Sequence, residues 1–282
     1  MSAAASLYDQ ASSRRQRAEG HLRLAFQTRA DASVLASLYQ QGCLKARFPR
    51  PEEAGWPEAL LLNLSGGIAG GDHLETEITL ATAAHAIVAT PAAERFYRAL
   101  TLTEPARVAT AITLAPGAHL EWLPQESILF DACALTRHTE IALAGDAVFL
   151  GAEMLVFGRA AMGERLTCAH VDDKIRLSRN GRLQLHEATR FSGEIAARLG
   201  AAAAAGTAAG TALLIYAGAQ AGAYLAALRD ALTEVEAGAS LVLPDLLIAR
   251  ILAPSAWALR GAVQAGLQVL RGGRRMPRVW QG

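Results

Sequence analysis

Lys174-Ile175-Arg176-Leu177-Ser178-Arg179-Asn180-Gly181-Arg182-Leu183-Gln184-Leu185 is the stretch that decides the fold. Ile175 and Leu177 alternate with polar residues before Asn180-Gly181, and Leu183 and Leu185 alternate after it. Asn-Gly supplies the positive φ values of a type I′ turn, so the stretch predicts a β-hairpin with one buried face. The same period of two recurs along the chain. It places Leu22, Leu24 and Phe26 on one face, then Leu44, Ala46 and Phe48, then Leu74, Thr76, Ile78 and Leu80, then Val108, Thr110, Ile112 and Leu114. Ala59–Leu64, Ala86–Thr90, Ala147–Phe157 and Thr211–Tyr216 alternate less clearly and suit strands buried on both faces. Pro116-Gly117 and Gly145-Asp146 are further turn signals. Strands in close succession with few helical patterns between them predict antiparallel structure rather than βαβ units.

Two helices are expected, both late. Ala219–Leu232 puts Leu225, Leu228 and Leu232 on one stripe, and Ser255–Arg271 carries Leu259, Val263, Leu267 and Leu270 at helical spacing. Ser255 can cap the second helix and Gly272 can close it. No linker and no internal repeat of fixed period stands out. The expected architecture is mostly β: an elongated, many-stranded antiparallel fold with two α-helices in its C-terminal part. It comprises a flexible tail over 1–19 and a single domain over 20–282.

A chain of 282 residues, 52% hydrophobic, can bury a large core. Its net charge of +1 excludes the electrostatic footprint of a nucleic-acid binder. Arg14, Arg15 and Arg17, and Arg271, Arg274, Arg275 and Arg278, are short basic clusters that suit solvated ends or docking surfaces. Cys43, Cys133 and Cys168 are odd in number and widely spaced, which fits neither a disulfide framework nor a zinc knuckle. Met1–Gln10 lacks a basic region followed by an apolar run, so a cytoplasmic setting is expected. The uncharged stretch Leu199–Leu228 is too rich in Ala and Gly for a membrane span and reads as a loop leading into a buried strand and a helix.

Four segments could carry chemistry. Ser65-Gly66-Gly67-Ile68-Ala69-Gly70-Gly71-Asp72 is glycine-rich, but it matches neither phosphate-loop spacing and no helix pattern follows it. It reads as a strand-to-strand loop presenting Asp72 and His73. Thr90–Arg98 is polar and aromatic; Leu120–Glu126 ends a strand at Pro124 with Gln125 and Glu126; Gly158–Glu164 is a Gly-bounded loop bearing Arg159 and Glu164. For each, plain turn chemistry is the alternative. His186-Glu187 fails as H-E-x-x-H because position 190 is Arg190, and His170-Val171-Asp172-Asp173 reads as a solvated loop rather than a metal site. No self-contained active site emerges.

Taken in order, these segments resemble the urease accessory protein family UreD, also called UreH. That family's Gly-Gly-hydrophobic-x-Gly-Gly-Asp is met by Gly66–Asp72, and its Thr-Pro-x-Ala segment ending in Tyr-Arg by Thr90–Arg98. Its Leu-Glu-Trp-Leu-Pro-Gln is met by Leu120–Gln125 with Glu126 following, its Gly-Arg loop by Gly158–Glu164, and its closing Pro-Arg-x-Trp by Pro277–Trp280.

The resemblance implies a non-enzymatic scaffold that binds apo-urease and, with UreF and the GTPase UreG, supports GTP-dependent nickel insertion. It implies a water-filled internal route for nickel and no tightly bound cofactor. Nickel(II) must be held weakly to move on, which favours spaced carboxylates over a closed cage. Asp72, Glu126 and Glu164 are therefore expected to line or guard the route, with Arg98 and Arg159 orienting them. The other readings are a β-fold metal-dependent enzyme, with Asp72, His73 and Glu126 converging on a metal, and an adaptor with no metal role.

Overall fold

The computed structural model describes residues 17–159, 162–201 and 204–281. The expected tail over 1–19 lies almost wholly outside them. Seventeen strands and three helices are described, forming two stacked sheets. The first sheet holds β1 (Glu19–Arg29), β2 (Ala32–Gly42), β5 (His73–Leu80), β8 (Ala106–Leu114), β11 (Ala134–Leu143), β13 (Cys168–Arg179) and β14 (Arg182–Glu194), in the order β14-β13-β11-β8-β5-β1-β2. The second has β3 (Leu44–Arg47), β4 (Glu58–Asn63), β6 (His85–Ala89), β9 (His119–Leu123), β12 (Val148–Phe157), β15 (Gly210–Ala217), β16 (Glu236–Leu243) and β17 (Leu246–Ala253), in the order β16-β17-β15-β12-β9-β6-β4-β3. Two short strands, β7 (Glu94–Phe96) and β10 (Ser127–Leu129), join it beside β12.

The sheets are mixed, which corrects the antiparallel expectation. β1, β5, β8, β11 and β13 pair in parallel, as do β4, β6, β9 and β12. The cause is a coil. The chain crosses from β5 to β6, from β8 to β9 and from β11 to β12, each time changing sheet through a four-residue turn. Each full circuit then returns it parallel to its previous pass.

The turns Ala81–Ala84, Ala115–Ala118 and Ala144–Ala147 stack. Each closes on itself, Ala84 N–H donating to Ala81 O at 3.0 Å and Ala118 N–H to Ala115 O at 3.0 Å. Between coils, Ala83 N–H donates to Pro116 O at 3.0 Å, and the Asp146 carboxylate accepts from Gly117 N–H at 2.7 Å. These turns expose an internal repeat that the sequence reading missed: Leu80-Ala81, Leu114-Ala115 and Leu143-Ala144 open equivalent turns, and Ala84, Ala118 and Ala147 close them.

The Asn180-Gly181 hairpin forms as expected, with φ of 50° and 76°. The runs expected to be buried on both faces fall in β4, β6, β12 and β15, all in the second sheet. Its inner face meets the first sheet through residues such as Leu120, Phe149 and Ile215. Its other face is covered by α2 (Ala221–Ala231), α3 (Ala256–Leu270) and the C-terminal segment. Ser255 caps α3 by accepting from Ala258 N–H at 3.1 Å. Gly266 lets that helix approach closely, since a Cβ there would stand 2.5 Å from Leu214 Cδ1. The stretch read as uncharged loop, strand and helix follows a short helix, α1 (Ala196–Leu199), and carries β15 and most of α2. No described helix is long and apolar enough to cross a membrane.

The C-terminal segment is clamped to β9. Glu121 is fully buried and accepts from Arg271 Nε at 2.7 Å and from Arg274. Trp280, also fully buried, donates from Nε1 to Leu123 O at 3.0 Å. Gln125 Nε2 donates to Val279 O at 3.1 Å, and Arg260 reaches Val279 O, Gln125 and Glu126. The Leu120–Glu126 and Pro277–Trp280 segments are thus two halves of one joint. Beside it the Arg274 guanidinium lies 4.0 Å from the Trp56 ring centroid, and Trp56 packs edgewise on His85 and His119, each at 4.8 Å.

Two predictions follow from this packing. Ala83 takes φ of 57° at the third position of its turn, where the next coil has Gly117 at 70°. Left-handed backbone costs an alanine about 1 kcal/mol, so A83G should raise the midpoint of urea unfolding and G117A should lower it. Burial, with Arg274 next, drives the His119 pKa down to about 3 from an ordinary 6.5. The unfolded chain therefore binds more protons between those values, and stability is lost as pH falls below 6.5. Urea melts should show this site costing about 1–2 kcal/mol between pH 6.5 and pH 5, and H119Q should flatten that slope.

Candidate functional site: a polar cavity between the sheets

The inner faces of the sandwich are apolar toward the coil turns and polar further along. Thr76, Thr110 and Thr139 stand in register across β5, β8 and β11, all facing inward and all buried. One step away, Arg137 on β11 is in register with Asp173 on β13. The second sheet contributes Trp122 from β9 and Glu153 from β12.

Arg137 holds these groups together. Its Nε and Nη2 donate to the two Asp173 oxygens at 2.9 and 2.6 Å, a bidentate pair. Its Nη1 reaches Glu153 Oε2 at 3.1 Å and Ser127 Oγ at 2.9 Å. Trp122 Nε1 donates to the other Glu153 oxygen at 2.8 Å. One guanidinium thus faces two carboxylates. Burial opposes charge on Arg137, but Asp173 and Glu153 outweigh it and hold its pKa above the ordinary value. Burial raises the Glu153 pKa, and the attraction of Arg137 offsets only part of that rise.

A cavity of about 110 Å³ lies against this cluster, lined by Thr76, Thr110, Thr139, Arg137, Glu153 and Glu94 among others. Its walls carry the polar partners that buried water needs, and its volume admits several waters. Half-buried Asn63, Thr90 and Glu94 are among its other lining residues. Burial raises the Glu94 pKa, and a 3.2 Å hydrogen bond from Asn63 Nδ2 opposes that rise. A second cavity of about 60 Å³ is lined by Glu153, Asp173, Glu187 and Arg250. Glu153 is common to both, so the Arg137 cluster is the wall between them. Among the described residues, no group of three or more His, Cys, Asp or Glu side chains is placed to hold a metal ion.

The residues expected from sequence are not brought together in one cluster, and none of them lines this cavity. Asp72 is buried, and its two oxygens accept from Ala18 N–H at 2.9 Å and Ala69 N–H at 2.8 Å, bracing the glycine loop. Glu126 lies between the lining residues Gln125 and Ser127 and pairs with Arg260 at 3.3 Å. Glu164 pairs with Arg159 at 2.6 Å. Arg98 pairs with Asp131 at 3.4 Å and with none of those three carboxylates.

The motif segments do meet one another. Tyr97 OH donates to Gly66 O at 2.9 Å, and its ring lies where a Cβ on Gly67 would stand, 2.3 Å away. Tyr97 packs edgewise on Phe130, whose ring carries the Arg159 guanidinium at 4.3 Å.

Sequence reasoning missed Glu153, Arg137 and Asp173. Glu153 was visible as the lone charge in the apolar run Val148–Phe157. Asp173 was read as part of a solvated loop, but it sits on β13 facing inward, while Asp172 faces outward to Lys174 and Arg190.

The sequence profile of the family described as UreD urease accessory protein matches residues 18–281. A protein of Ruegeria pomeroyi named urease accessory protein UreD is 42% identical over 88% of this chain and 95% of its own length. Proteins of the same name from Azorhizobium caulinodans and Chelativorans sp. are 40% and 38% identical, over 95% and 94% of this chain and 97% and 94% of their own lengths. With a match across nearly its whole described length and relatives at this identity, the chain belongs to the UreD family of urease accessory proteins.

Proposed function

We propose that this chain serves urease maturation as a non-catalytic scaffold. In this reading it binds apo-urease, associates with UreF and UreG in the cytoplasm, and supports GTP-dependent nickel insertion. The observation that carries the metal role is the pair of cavities sharing Glu153. A nickel ion in transit needs oxygen ligands that hold it weakly, one after another. Glu94, Glu153, Asp173 and Glu187 offer such a series through the sandwich, with Arg137 preventing two carboxylates from closing on the ion together.

Asp72, Glu126 and Glu164 line neither cavity and act on that series from outside it. Glu126 guards the cavity edge under the control of Arg260, and Glu164 stands on the neighbouring loop, oriented by Arg159. Asp72 fixes the glycine loop, and Arg98 acts through Asp131. The nickel is cargo, and the chain holds no cofactor of its own.

The test is co-expression of the urease and other accessory genes with this chain, without it, and with E153Q or E94Q. Without the chain, urease should be inactive and nickel-poor. E153Q keeps an acceptor for Trp122 and should leave the chain folded and bound to its partners while urease nickel falls toward the level seen without it. Full nickel in urease without the chain would refute the maturation role. Full nickel with E153Q and E94Q would leave the scaffold standing and refute the route.

A further inference from the structure

One surface hollow belongs neither to the route through the sandwich nor to the C-terminal joint. It is an open cavity of about 690 Å³, and its lining comes from three places: the segment 205–208, the turn from α2 into β16, and the end of β17. Hydrogen bonds hold these places together. Ala209 N–H donates to Ala253 O at 2.8 Å, which ties the first segment to β17, and Ala208 N–H donates to Ala205 O at 2.9 Å. Thr233 Oγ1 donates to Asp230 O at 3.1 Å, and Glu236 opens β16 in register with Leu252 of β17.

Ala205, Ala208, Val235, Leu252 and Pro254 give the hollow apolar surface, and its charged lining residues are Glu234 and Glu236, both exposed. Among the described residues neither has a Lys, Arg or His within ion-pair distance, and Asp230, one turn upstream in α2, has none either. Asp172 and Glu187, elsewhere on the surface, are matched by Arg190 and Arg250. Arg229, next to Asp230 in sequence, donates to Ala239 O at 2.9 and 3.0 Å instead. Trp257 stands on the first turn of α3, three residues beyond the lining Pro254, and is 80% exposed. An indole left in water contributes little to the fold, and tryptophan is the residue type that most often anchors an association. Its ring face also attracts a cation.

We propose that this hollow is the docking groove for an extended segment of a partner protein that carries lysine or arginine. The inference rests on the reading of the chain as a scaffold, and it names the surface and the chemistry by which one partner is held. Charge complementarity selects the occupant. Glu234 and Glu236 line the groove with one sign of charge and no internal cation, so a basic side chain gains from both without displacing an existing pair. The apolar lining takes the aliphatic stem of such a side chain while its charged end reaches the carboxylates. A second copy of this chain does not fit, because a two-fold contact of groove on groove would set Glu234 and Glu236 against themselves. The volume has room for several side chains and not for a folded element, which favours a segment.

The test is affinity purification of the tagged full chain co-expressed with urease and the other accessory proteins, with every co-purifying protein quantified at low and at high salt. All substituted positions are exposed, and thermal melts check that the variants fold. E234K/E236K and W257A should each lower recovery of the same single partner by about tenfold or more. E234Q/E236Q should lower it less and flatten its dependence on salt, since the screened charges are gone. E104K, a charge reversal on the exposed loop before β8, should leave recovery unchanged, as should E153Q. Recovery of every partner at the parent level in both E234K/E236K and W257A would overturn the groove and leave the scaffold reading standing. Capture of no partner by the parent chain would overturn both.

Discussion

The Arg137 guanidinium, held between Asp173 of its own sheet and Glu153 of the facing one, is the interaction on which the rest of the structure depends. Three titratable side chains inside a β-sandwich are costly to bury unless each finds partners. Here the partners come from both sheets: a bidentate carboxylate, a second carboxylate, a serine hydroxyl and an indole N–H. Removing Arg137 would leave two buried carboxylates uncompensated, at about 3–5 kcal/mol. The cluster also keeps the sheets from closing on each other there. Apolar side chains fill the sandwich near the coil turns, and around Arg137 the space is left to polar walls and to the two cavities.

The rest of the architecture serves to hold those few atoms in place. Stacked turns tie each coil to the next, which fixes the register that puts Thr76, Thr110 and Thr139 on one line and Arg137 opposite Asp173. On the far face of the second sheet, the helices and the C-terminal segment cover β9 and β12. The joint of Glu121 with Arg271 and Arg274, and of Trp280 with Leu123, pins the strand that carries Trp122. Residues more than a hundred positions apart in sequence are thereby coupled to the indole that orients Glu153. The Leu120–Gln125 and Pro277–Trp280 segments thus serve as a support rather than as chemistry.

Much of the fold was legible because its signals are local. Asn180-Gly181 names its turn by backbone chemistry alone, and a strand covered on both faces loses its alternation wherever it lies. Pairing direction was not legible, since an alternating strand reads the same whether its neighbour is parallel or antiparallel. The coil repeat was hidden because its turns fall 34 and then 29 residues apart and share only Leu and Ala. One turn also uses Ala83 where glycine would have announced it. The cavity was half legible. Glu153 stood out as a charge in an apolar strand, but nothing near it names Arg137 or Asp173, which register alone delivers. Glu126 was picked for its place at a strand end, and the structure sets it beside the cavity in a pair with Arg260.

A sandwich with polar cavities around Arg137 and an apolar core toward the coil turns should be open to water at the first and dry at the second. Thr110 and Ile112 lie two residues apart on β8, both buried, the first lining the cavity and the second packed in the core. A cysteine placed at each position, measured against the parent chain with its own three cysteines, should separate the two environments. The measurement is the rate of reaction with a small, charged methanethiosulfonate reagent under native conditions. A wet cavity predicts T110C reacting at least about tenfold faster than I112C, since only a solvated thiol forms the reactive thiolate readily. Equal, slow rates at both positions would mean that the sandwich is closed, and would contradict the account.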